Sequence, residues 1–136
     1  MIKEIIHDPI FLRLKAEPAG KEDLQTAQDL LDTLRANRES CVGMAANMIG
    51  LNKAIIVVNM GMVDMVMFNP VITRKSSPYE AEEGCLSLRG TRKTKRYRDI
   101  EVDYEDIRLK KYHQKFSGFT AQIIQHEVDH LNGILI

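Results

Sequence analysis

Residues 123–136 read Ile-Ile-Gln-His-Glu-Val-Asp-His-Leu-Asn-Gly-Ile-Leu-Ile, and within them His126-Glu127-Val128-Asp129-His130 is an H-E-x-x-H pattern. Residues four apart stand one above the other on a helix, so two imidazoles at this spacing can reach one metal ion. The pattern predicts a helix that follows Ser117-Gly118 and ends at Asn132-Gly133. Ile123 and Ile124 would seat it on the core, with help from Phe119. Glu127 is rotated by about 100° from His126, so it flanks such an ion and can handle the proton of a bound water. The bland alternative is a solvated pair of histidines on an exposed helix. A catalytic ion takes a third protein ligand, and the side chains from Leu131 to Ile136 bind no metal. That ligand must therefore lie upstream, which disfavours an ordinary H-E-x-x-H protease.

Working back from this helix, Ile100, Val102 and Tyr104, then Ile107 and Leu109, alternate with charged residues and predict a strand pair. Ala54–Val58 and Val63–Phe68 are β-rich runs joined by a turn at Asn59-Met60-Gly61. Asn69-Pro70 interrupts the second run, and Val71-Ile72-Thr73 continues it. Residues 21–37 place Leu24, Ala27, Leu30, Leu31 and Leu34 on one helical stripe, with Glu22 and Asp23 near its start and Arg35 near its end, as the helix dipole favours. Segments 41–50 and 80–91 fit neither period and are expected to be loops that carry function. The expected fold is α+β: mostly antiparallel β-sheets around a C-terminal helix carrying H-E-x-x-H, with an N-terminal amphipathic helix, in a single domain spanning residues 1–136.

Composition narrows the function. Lys+Arg and Asp+Glu are both 19, so the formal net charge is +0 and no bulk field favours nucleic acid or an anionic membrane. Hydrophobic residues at 44% and charged residues at 28% fit an ordinary folded chain and argue against disorder. The opening MIKEIIHDPIF has no long apolar region, and no stretch is long enough to span a membrane. Cys41 and Cys85 are the only cysteines, too few for a disulfide framework, which points to a reducing cytosol.

The open candidates for the third ligand are Cys85, Cys41, His113, His7 and the carboxylates. His113, in KKYHQK, reads as an exposed strand residue, and His7, before Asp8-Pro9, as a turn residue. Cys41 borders the apolar VGMAA and reads as a small buried thiol. Cys85, in EEGCLSL, follows Gly84, which would let the backbone bend close to another element. A thiolate with two imidazoles leaves a fourth tetrahedral position for water, which favours Cys85.

Glu83-Gly84-Cys85-Leu86-Ser87 and His126-Glu127-Val128-Asp129-His130-Leu131-Asn132-Gly133 resemble the second and third signature motifs of the peptide deformylases. Cys41-Val42-Gly43-Met44-Ala45-Ala46-Asn47-Met48-Ile49-Gly50 resembles the first, and HDPIF and the Asn-Pro after the hairpin also fit. The resemblance implies a hydrolase that removes the formyl group from the formylmethionine of nascent bacterial or organellar polypeptides. It implies Cys85, His126 and His130 as ligands of Fe²⁺, which Zn²⁺, Ni²⁺ or Co²⁺ can replace, and Glu127 as general base and then acid. Leu86, Gly43, Met48 and Arg96 would lie on the oxyanion and substrate side. The implied partners are N-formylmethionyl peptides and the ribosome, with no membrane and no specific nucleic acid, in the bacterial cytoplasm. Many members carry a further C-terminal helix or strand, which is expected to be absent here.

Two positions depart from that family's pattern. Its first motif has a glutamine whose amide donates a hydrogen bond to the developing oxyanion, and here that position is Met48, which donates none. Its first glycine is Cys41, a bulkier group near the path of the substrate backbone. Slowed turnover, or a chain that only binds N-terminal peptides or a partner, follows as an expectation. The basic run Arg89–Arg98 reads first as a solvated edge, with Arg96 or Arg98 gripping a bound peptide, or contact with ribosomal RNA, as sharper alternatives. Asp129 is a candidate partner for an arginine.

Overall fold

Strand β2 (Ile55–Asn59) is apolar at four consecutive positions, Ile55 to Val58, and all four are fully buried. A strand with one wet face alternates; a continuous run of this kind is buried on both faces. In this computed structural model, which describes all residues 1–136, helix α2 (Leu24–Ala36) covers one face and α3 (Gly118–Leu131) the other. Ile55 and Val57 pack with Ala27, Leu30 and Leu34 of α2. Ile56 and Val58 pack with Ala121, Ile124 and Val128 of α3. The strands form one five-stranded antiparallel sheet in the order β1-β2-β3-β4-β5, the others being β1 (Gly43–Ala45), β3 (Asp64–Cys85), β4 (Leu88–Glu105) and β5 (Lys111–Ser117). The α+β class is as expected. The arrangement differs in being one sheet between two helices, with α1 (Pro9–Leu12) a single short turn.

Several expected boundaries move, each for a local reason. The interruption at Asn69-Pro70 is a bulge: β3 runs through it with a register shift between Phe68 and Val71, and Asn69 has φ 53°. The Asn69 side chain accepts from Ala19 N–H (2.8 Å) and donates to Ala19 O (2.9 Å), tying the N-terminal segment to the sheet. Ile107 and Leu109 lie in a turn, where the Asp106 carboxylate accepts from Arg108 N–H and Lys110 N–H. The true partner of β4 is Lys111–Ser117, largely exposed and polar, so no apolar alternation marked it. Segments 41–50 and 80–91 are not loops. The first holds β1 and a 3₁₀ turn, Ala46–Ile49; the second is the tip of the long β3–β4 hairpin.

In α2 the buried face is Ala27, Asp29, Leu30, Thr33 and Leu34, while Leu24 is 45% exposed and Leu31 half-buried. Thr33 takes the place of an apolar residue because its hydroxyl donates to Asp29 O (2.8 Å) and accepts from Lys3 N–H (2.9 Å) of the overlying N-terminal segment. The end of α3 depends on Gly133, at φ 74°, where an added Cβ would lie 2.2 Å from Arg13 O. Gly133→Ala is therefore expected to cost about 2 kcal/mol, read as an earlier urea midpoint with an unchanged slope. No helix is long and apolar enough to cross a membrane.

Candidate active site

The end of β3 carries Cys85 into the hairpin turn, where it pairs with Leu88. Consecutive turns of α3 bring His126 and His130 up to it. The thiol sulfur and one nitrogen of each ring lie within 4.8 Å of one another, and the two Nε2 atoms are 3.0 Å apart. Tetrahedral ions bind imidazole at about 2.0–2.1 Å and thiolate at about 2.3 Å, so this donor set fits one. Burial, with His126 beside it, holds His130 down to about 3, leaving a neutral imidazole with a free lone pair. Burial opposes charge on His126, but hydrogen bonds to Cys85 and Glu83 lift it to about 10.

Glu83 holds this cluster from behind. Its buried carboxylate accepts from His126 Nδ1 (2.8 Å), Arg96 Nη2 (2.7 Å) and Gln122 Nε2 (2.9 Å). Burial alone would raise its pKa; the hydrogen bonds from His126 and Arg96 hold it at about 2. Arg96 is 3% exposed and gives Nη1 to Asp129 Oδ2 (2.6 Å). Three of its five N–H donors are taken by Glu83 and Asp129, and the buried side chain does not line the cavity, so where a grip on the substrate was expected Arg96 stands as a brace behind the cluster. Asp129 is the arginine partner anticipated for it. Arg98 stacks over Tyr79, 5.7 Å from the ring centroid, and Tyr79 in turn donates to Gln122 (3.1 Å).

Glu127 faces the other way, into a cavity of about 510 Å³ that Cys41, Gly43, Met48, Leu86 and Cys85 also line. It is 4% exposed, its Oε1 has no hydrogen-bond partner, and burial pushes its carboxyl up to about 7. Gly43 sits against it: an added Cβ would lie 2.5 Å from Ile123 Cγ2 and 3.0 Å from Glu127 Oε2. Only a glycine lets β1 run this close to α3. Gly84 lacks such a reason, since a Cβ there would make ordinary contacts, the nearest 3.5 Å away. Met48 is 1% exposed, and its sulfur accepts from Ala45 N–H at 3.5 Å.

β1 is the edge of the sheet, and its free side borders the same cavity. Asn59 N–H donates to Val42 O, so Val42 turns its backbone groups toward β2. Antiparallel pairs alternate, so those of Gly43, opposite Val58, point to the free edge. Phe119, expected in the core, is 62% exposed at the cavity wall. His113 is the exposed strand residue expected, held between Asp103 and Glu101. His7 is more than a turn residue, because Nδ1 reaches Ser87 O (3.0 Å) in the turn that follows Cys85. Sequence reasoning quoted Glu83 at the head of the second motif but gave it no role in the site.

Donors that gather a cation beside an acid able to take a proton are the equipment of a metal-dependent hydrolase, and the fold and site assign the chain to that class. The family model described as polypeptide deformylase matches residues 2–136, and the chain belongs to the peptide deformylase family. It is 58% identical over 136 residues to a peptide deformylase of Clostridium beijerinckii, covering all of both chains. Among solved structures it is similar to the peptide deformylase from Thermotoga maritima, with TM-score 0.89, 32% identity, and 99% and 95% of the two chains covered. An actinonin-bound class I type b peptide deformylase from Acinetobacter baumannii matches with TM-score 0.88 and 33% identity over 99% and 95% of the chains.

Proposed function

We propose that this chain, working as a single domain over residues 1–136, removes the formyl group from the N-terminal formylmethionine of nascent polypeptides. Cys85, His126 and His130 hold the divalent ion, and Glu127 moves the proton. The observation that carries this reading is the buried, unpartnered Oε1 of Glu127 in the wall of the cavity that the Cys85 and His126 side chains also line. The ion, Fe²⁺ in this reading with Zn²⁺, Ni²⁺ or Co²⁺ able to replace it, would supply Lewis acidity toward the attacking water and the formyl oxygen.

The chain supplies the rest. Glu127 takes the proton of the water and returns it to the departing amine, a task suited to a carboxyl whose pKa lies close to the working pH. The peptide lies extended along the free edge of β1, where Gly43 offers both N–H and C=O. Leu86 N–H faces the developing oxyanion, and Met48 adds no donor to it. Ile123 and Phe119 form an apolar wall for the methionine side chain. The substrate places the work in the bacterial cytoplasm, at or near the ribosome.

Metal analysis of anaerobically purified protein beside an assay on formyl-Met-Ala-Ser tests the proposal: one ion per chain and release of formate are expected, and an ion-loaded chain without turnover overturns it. A binder without turnover is the weaker reading, because an ion with a purely structural role needs no acid such as Glu127. The brace is open to its own test. Glu83→Gln exchanges a carboxylate behind His126 for an amide and is expected to weaken ion retention by about 10–100-fold, read by chelator competition.

A further inference from the structure

Cys41 lines the cavity next to the free edge of β1, and its thiol donates to Gly43 O at 2.8 Å. That carbonyl belongs to the backbone groups turned away from β2, so it is an acceptor open to an incoming strand. Burial pushes the Cys41 thiol up to about 12, so it stays protonated and remains a donor. Its other ionisable neighbours, Glu127 and Cys85, both act in that same direction. The second sulfur of this edge, Met48 Sδ, occupies Ala45 N–H in the same manner.

We propose that Cys41 sets the affinity for peptide: its S–H caps the Gly43 carbonyl and competes with a peptide N–H for it. This rests on the reading that substrate lies along β1. A thiol is a weak donor, so the cap yields to a peptide N–H at the cost of the one hydrogen bond it gives up. No bond is made or broken beyond the exchange of one hydrogen bond for another. The cap therefore weakens binding of any peptide that pairs with that carbonyl and leaves the chemical step alone.

The test is a series at one position. Cys41→Gly and Cys41→Ala both remove the donor and are expected to lower KM for formyl-Met-Ala-Ser by about threefold, with the change falling on KM and not on kcat. Cys41→Ser keeps a donor, and a stronger one, in a smaller side chain; its KM is expected to equal or exceed that of the wild type. Simple crowding predicts the opposite for serine, a KM below wild type, and that result overturns the proposal. So does an unchanged KM in both the glycine and alanine variants. Equilibrium binding of Met-Ala-Ser, followed by calorimetry, gives the same order without turnover. If wild type releases no formate, the functional reading fails while the binding series still decides the cap.

Discussion

Glu127→Gln is expected to lower kcat on formyl-Met-Ala-Ser by about 10²–10⁴-fold while the protein still binds its ion with stoichiometry unchanged. The carboxylate is buried, one oxygen has no partner, and no other acid lines the cavity beyond the exposed Glu82 and the fully engaged Glu83. Glutamine fills the same space and contacts Gly43 in the same way, so the loss reports proton transfer and not collapse of the site. Metal content, circular dichroism and single-turnover rates would be measured together. A variant that keeps its ion and more than about a tenth of the wild-type kcat removes Glu127 from the role of general base.

Met48→Gln carries the second large effect, in the opposite direction. The thioether accepts from Ala45 N–H and has nothing to donate. A glutamine can do both, its oxygen accepting from Ala45 N–H and its amide N–H turning to the cavity. One oxyanion donor is worth on the order of 10²–10³ in rate where it has been removed from a hydrolase. A gain of about 10²-fold in kcat is expected here, since the surrounding pocket has settled around sulfur. Should wild type already turn over within the ordinary range of about 1–10³ s⁻¹ and the variant gain nothing, Met48 is not the missing donor.

Periodicity revealed those parts of the chain whose neighbours are simple. The α2 stripe and the continuous apolar run of β2 were legible because each packs on a large apolar face. The metal cluster was legible because a helix brings residues four apart together, and because a resemblance named Cys85. What escaped was polar and paired at long range. Glu83 and Arg96 look like surface charges in the sequence, since nothing local says that they meet across β3 and β4 and bury each other's charge. Thr33 and Asp29 in α2 escaped for the same reason, their partners lying in the N-terminal segment. β1 was hidden by its length, three residues being too few to show an alternation. The β3–β4 hairpin was hidden by composition, because it is built from facing charges such as Glu80 opposite Lys95 and Glu82 opposite Lys93.

The free edge of β1 has a consequence outside catalysis. An unpaired strand that welcomes a peptide is equally a template for a neighbouring molecule, and open edges of this kind seed aggregation. Here the exposed ladder is only Gly43 to Ala45 long, and sulfur already occupies two of its outward groups. Such an edge is too short and too well covered to zip onto a second protein, yet a single flexible chain end can still find it. Colloidal stability and access for one extended substrate are thus set by the same three residues.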